Sequence, residues 1–163
     1  MGPVITGAAQ RNIYAGIGTA MAQDAEVLAG GEPYFKGGLL AEGFFVAPTV
    51  LELTAPADIW AEELFGPVLA ARRAADTDEA FALANDTEFG LSAAIFFTQD
   101  LTRALHAIQH VDVGVLHINS ESAGADPHVP FGGGAKKSGL GPPKEQGTAA
   151  REFFTHTTTV YLR

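Results

Sequence analysis

The string Glu62-Glu63-Leu64-Phe65-Gly66-Pro67-Val68 places two carboxylates and an aromatic ring beside a Gly-Pro bend. A carboxylate accepts hydrogen bonds from both hydroxyls of a ribose, and a phenyl ring two residues on packs against a flat base. The same string also reads as a solvated acidic helix end followed by a core phenylalanine, and side-chain chemistry leaves both readings open. His106 and His110 stand one helical turn apart, a ligand-like interval. No third ligand follows at a telling spacing, so no metal site is expected. Gly16-Ile17-Gly18 opens like a dinucleotide-binding glycine pattern, yet Met21 occupies the third glycine position and no strand precedes it. The run from Gly132 to Gly139 resembles a phosphate loop but fits neither the G-x-x-x-x-G-K-[ST] spacing nor the nucleophile elbow G-x-S-x-G. Cysteine is absent from the 163 residues, which excludes disulfides, thiolate metal sites and cysteine-nucleophile catalysis by this chain alone. No catalytic residue is assigned.

The groups that remain need a scaffold, and the composition supplies one. A chain of 163 residues with 47% hydrophobic and 18% charged residues is the size of one ordinary domain and apolar enough to build a core. A formal charge of −9 argues against nucleic acid, whose phosphates require a basic surface. No apolar run reaches the roughly 18 residues of a membrane span, and the N-terminus lacks a charged-then-apolar leader pattern. A soluble cytoplasmic domain that contacts no membrane is the expectation.

Helical and strand patterns alternate along the chain. Ile13, Ile17 and Met21 predict one helical stripe over residues 8–21, weakened by Gly16 and Gly18. Short strands are expected at 25–29 and 67–71, with a short helix over 58–64. Pro48 makes residues 43–53 an edge or interrupted strand. Asp76, with Glu79 three residues on, predicts a helix start whose inner side carries Ala80, Phe81, Leu83 and Ala84. Residues 91–97 read as a strand buried on both faces, and Asp100 caps a helix with core stripe Leu101, Leu105 and Ile108. Another strand follows at 113–118. This order implies an α/β fold built from βαβ units with a parallel sheet. Residues 120–143 form a Gly- and Pro-rich loop, followed by a helix near 144–153 and a β-branched strand over 155–161.

Glu62-Glu63-Leu64-Phe65-Gly66-Pro67 resembles the E-E-x-F-G-P signature of the NAD(P)-dependent aldehyde dehydrogenase superfamily. Gly2-Pro3-Val4-Ile5, Gly43-Phe44-Phe45-Val46-Ala47-Pro48-Thr49-Val50, Ala84-Asn85-Asp86-Thr87-Glu88-Phe89-Gly90-Leu91, Ile118-Asn119 and Pro130-Phe131-Gly132-Gly133 resemble further family motifs in family order. Gly124-Ala125-Asp126-Pro127-His128-Val129-Pro130, with Glu145-Gln146-Gly147 and Glu152-Phe153-Phe154-Thr155, is most similar to the α-ketoglutaric semialdehyde dehydrogenase branch.

The resemblance covers the C-terminal third of such an enzyme. It implies oxidation of an aldehyde, including a carboxylate-bearing semialdehyde, to an acid with NAD or NADP. The nucleophilic cysteine, base glutamate and dinucleotide-binding domain lie upstream of the matching region. The isolated chain is therefore expected to be inactive and to bind no cofactor. Residue by residue, Glu63 matches the glutamate that holds the nicotinamide ribose, and Phe65 the aromatic at the nicotinamide end. Asn119 matches the asparagine that opens the substrate-side loop, and Phe131 the pocket phenylalanine. Residues 1–153 correspond to part of the catalytic domain and 154–163 to an oligomerisation strand, which pairs with an upstream hairpin or with another copy. Where the family has P-F-G-G-x-K-x-S-G, Gly134-Ala135-Lys136-Lys137 adds one residue before Ser138, leaving both lysines without a role. The alternative from another functional class is a noncatalytic assembly module built on the same fold.

Overall fold

The computed structural model describes residues 1–33, 43–96, 99–124, 126–134, 136–139, 141–142 and 145–163. The chain divides into two units, Met1–Ala75 and Asp76–Arg163.

In the first unit, Thr6 caps helix α1 (Gly7–Ala22), its Oγ1 accepting from the Ala9 amide at 3.1 Å. Ile13, Ile17 and Ala20 are buried, whereas Met21, expected on the stripe, is exposed. Two steps of four residues overshoot two helical turns by about 80°, so the inward position after Ile17 falls on residue 20. Gly18 sits on the open face, with nothing within 4 Å of a Cβ built on it. Gly18→Ala is therefore expected to stabilise the chain by about 0.5–1 kcal/mol, read as a higher denaturation midpoint with an unchanged slope.

Strand β1 (Glu26–Ala29) pairs antiparallel with β2 (Thr49–Glu52), which pairs parallel with β3 (Val68–Ala71). Of the two expectations for 43–53, the interrupted strand holds and the edge strand does not. Pro48 lies just before the paired segment, and β2 is the central strand of three. Thr49 and Leu51 point inward; the buried Thr49 hydroxyl donates to the Ala47 carbonyl at 2.9 Å and accepts from the Gly31 amide at 3.0 Å. The expected helix over 58–64 shrinks to a single 3-10 turn, Asp58–Trp60. Gly66-Pro67 follows, and a proline turns the residue before it away from helical geometry. The core is Ile13, Ile17 and Val46, with Val4, Tyr14, Leu64 and Val68 packed against it.

In the second unit, Asp76 caps α2 (Thr77–Asn85) by accepting from the Glu79 amide at 2.9 Å. Phe81 is the buried residue of that helix; Ala80 and Ala84, expected on its inner side, are exposed. Strand β4 (Ser92–Ile95), helix α3 (Leu101–His110) and strand β5 (Val115–Ile118) form a βαβ unit, β4 and β5 pairing parallel. Asp100 caps α3 through the Thr102 amide at 2.9 Å. Helix α4 (Gly147–Phe154) follows. The fold is α/β with parallel pairings, distributed among the described residues over a three-stranded and a two-stranded sheet.

Three further expectations in this unit are overturned. Strand β4 is only half-buried, because a two-stranded sheet leaves its flanks partly open; Phe97 lies outside the described residues. Leu101, Leu105 and Ile108 are 71%, 53% and 59% exposed, and α3 instead buries Ala107 and lays His106 and His110 over Phe81. The small Ala107 permits close approach on the polar side, so the aliphatic side is the one left in solvent. Residues 155–163 form no strand, since among the described residues they have no ladder partner. Among the described residues, no helix is long and apolar enough to cross a membrane.

Candidate cofactor and substrate contacts

The turn after the 3-10 helix is fixed at two points on α1. A Cβ on Gly16 would lie 2.6 Å from Leu64 Cδ2, so Leu64 occupies the notch left by that glycine. A Cβ on Gly66 would overlap Cδ1 of Ile13, which is fully buried. Between these anchors Phe65 adopts φ +49° and is 81% exposed. A bulky residue in left-handed geometry costs about 1–3 kcal/mol and persists only when its surroundings dictate it. The core phenylalanine reading is thereby excluded: Leu64 fills the core position and Phe65 is turned out. Glu63, Phe65 and Ile59 border a cleft of about 210 Å³ whose floor includes Val68 and Ala70 of β3. The Glu63 carboxylate is exposed beside the ring. Gly66→Ala would force a methyl into Ile13, so a loss of about 1–3 kcal/mol is expected in denaturant titrations.

The other two predicted residues lie in the second unit. Asn119, immediately after β5, has φ +56°, and its amide donates to the Ile95 carbonyl at 2.8 Å. The chain thus turns sharply where the glycine-rich loop begins. Phe131, half-buried, closes that loop through a bridge to Glu145, its amide donating to the Glu145 carbonyl at 2.9 Å. Between them Asp126 Oδ1 accepts from the His128 amide at 2.9 Å and from His128 Nδ1 at 3.0 Å. The bonds from His128, the backbone one foremost, hold the Asp126 carboxyl below its usual range. The Gly147 amide donates to the Pro127 carbonyl at 3.1 Å, tying the loop to the start of α4.

Sequence reading missed Asn85. Its Nδ2 donates to the His110 carbonyl at 2.5 Å and its Oδ1 accepts from the Asp112 amide at 2.9 Å, so one side chain joins the end of α3 to the approach to β5. The signal was present as the asparagine of the motif beginning at Ala84, without a role attached. His106 and His110 line a cleft of about 370 Å³ with Asp78 and Phe81. His110 Nδ1 donates to the His106 carbonyl at 2.8 Å, and among the described residues no three metal-ligating side chains converge.

The aldehyde dehydrogenase family profile matches residues 1–160. The chain is 38% identical over its full length to the α-ketoglutaric semialdehyde dehydrogenase of Bacillus subtilis, covering 33% of that protein. It is 39% identical over 99% of its length to a betaine aldehyde dehydrogenase of Brucella melitensis, covering 32% of it. Among solved structures, succinic semialdehyde dehydrogenase from Streptococcus pyogenes in complex with NADP+ superimposes with a TM-score of 0.84 at 30% identity, over 98% of this chain and 33% of that one. The chain therefore spans about one third of the length of the curated relatives it matches.

Proposed function

The chain belongs to the aldehyde dehydrogenase family, and from that membership we propose that it forms the C-terminal third of an enzyme that oxidises an aldehyde to an acid with NAD or NADP. The outward-held pair Glu63 and Phe65 carries this reading. A carboxylate beside an exposed ring, on a turn anchored at Leu64 and Gly66, fits a nicotinamide ribose and its base. When bound, the nicotinamide supplies the hydride acceptor. Glu63 accepts from the ribose hydroxyls, and Phe65 limits where the flat ring lies. Asn119 opens the substrate-side loop, and Phe131 contributes an apolar wall.

A carboxylate-bearing semialdehyde is the proposed substrate, in keeping with the Bacillus relative and the loop over 124–130. A cytoplasmic setting is part of this reading.

In the complete enzyme, Glu63→Gln is expected to weaken nicotinamide placement by about 1–3 kcal/mol, the range for a hydrogen bond to a charged group. Most of the loss belongs in hydride transfer rather than in cofactor KM, because placement of the reacting atom is what fails. Single-turnover kinetics with a deuterated aldehyde tests this, and an unchanged transfer rate overturns the role of Glu63. The isolated chain is expected to show negligible NAD affinity; micromolar binding by calorimetry contradicts that.

A second reading, a noncatalytic assembly module, draws on the exposed segment 155–163, where Val160, Tyr161 and Leu162 are in solvent.

A further inference from the structure

The two lysines of the glycine-rich loop do different work. Lys136 is half-buried, and its ammonium donates at 2.8 Å to the carbonyl of Asn85, the last residue of α2. That carbonyl lies at the negative end of the helix dipole, without an intrahelical partner, and accepts from the Thr87 amide at 2.8 Å as well as from Lys136. Lys137 instead pairs at the surface with Glu88, while its amide donates to the Glu88 carbonyl at 2.9 Å. Ser138 Oγ accepts from the Gly90 amide at 3.1 Å. Lys136 thus reaches the end of α2, and Ser138 meets the segment before β4.

Gly132 and Gly133 lie backbone to backbone against Gly114. A Cβ on Gly114 would sit 2.5 Å from the Gly132 carbonyl oxygen and 3.0 Å from that of Gly133. The Gly114 amide in turn donates to the Gly90 carbonyl at 2.8 Å. An approach this close leaves the loop little room to shift on its support. Among the described residues of 130–139, the charged contact to a helix end is that of Lys136, five residues after Phe131.

We propose that Lys136 is a positioning residue for the aldehyde side of the site. Its bond to the α2 terminus holds the segment that presents Phe131 to substrate. The inference rests on the substrate-side reading of Phe131 and adds the residue through which that side is kept in place.

Hydrogen exchange on the 163-residue chain is the first arm of the test. Lys136→Met is expected to speed exchange about tenfold at the amides of Phe131, Lys137 and Gly139, the scale of one charge-assisted hydrogen bond, with α1 and β2 unchanged. Lys136→Arg restores protection, and Lys137→Met leaves it intact. Should Lys136→Met not fold, Lys136→Gln replaces it under the same criteria. In the complete enzyme, the second arm, Lys136→Met raises aldehyde KM severalfold while cofactor KM stays put. Unchanged exchange overturns the proposal. So does an enzyme in which Phe131→Ala raises aldehyde KM and Lys136→Met does not. If the loop loosens yet neither substitution touches aldehyde kinetics, the substrate-side reading of Phe131 fails and the inference falls with it.

Discussion

The purified 163-residue chain is expected to reduce no nicotinamide cofactor with acetaldehyde or α-ketoglutaric semialdehyde above a no-protein control. Aldehyde oxidation in the family proceeds through attack by a thiolate, and this chain contains no cysteine. In the proposed assignment Glu63, Phe65, Asn119 and Phe131 position a reactant, and none forms or breaks a bond to it. Positioning without a nucleophile leaves most of an enzymatic acceleration, about 8–23 kcal/mol in general, out of reach. A hydroxyl is no ready substitute, since it needs an adjacent base, and Ser138 Oγ is engaged by the Gly90 amide. The measurement is absorbance at the reduced nicotinamide band over hours at high protein concentration. A rate above control that survives repurification would show a nucleophile in this chain and overturn the binding-only assignment of its residues.

Local signals were read well from sequence, because each depends on few residues. Asp76 and Asp100 were recognised as caps, since a side-chain acceptor ahead of free amides acts within one turn. The α1 stripe was right at Ile13 and Ile17 and wrong at Met21, where fourfold spacing drifts off the inward face. The Glu62–Val68 string was legible as a turn with binding-type groups, but not the outward direction of Phe65. That direction depends on Leu64 meeting Gly16, 48 positions away in the chain (64 − 16), and no local pattern encodes such an approach. The α3 error has a similar origin. An amphipathic pattern states that one face differs from the other, not which face finds a partner, and here Phe81 takes the histidine side. Lys136 and Lys137 were indistinguishable by type, and only the approach of Asn85 separates them.

The second large expected effect concerns association: the intact chain should not behave as a clean monomer. Residues 155–163 run on past α4 without regular secondary structure, with Val160, Tyr161 and Leu162 at 70%, 89% and 93% exposure. A β-branched segment that has no ladder partner among the described residues presents backbone donors and acceptors that template pairing with another chain. Leu101, Leu105 and Ile108 add a second apolar surface on α3, and contiguous exposed apolar area favours burial. The two surfaces make separable contributions. A chain ending at Phe153 loses the tail but keeps the α3 stripe, so its light-scattering mass should fall toward the monomer while staying above it. Adding Leu105→Glu to that truncation should complete the shift, since a charge at the centre of the stripe opposes its burial. A lone pairing of tails would make the truncation sufficient, and a lone helix contact would make it ineffective; each outcome assigns the association to one surface. A strictly monomeric intact chain at high concentration, with exchange-protected amides in its tail, would mean that the segment finds its partner within the same chain, and the assembly role would be lost.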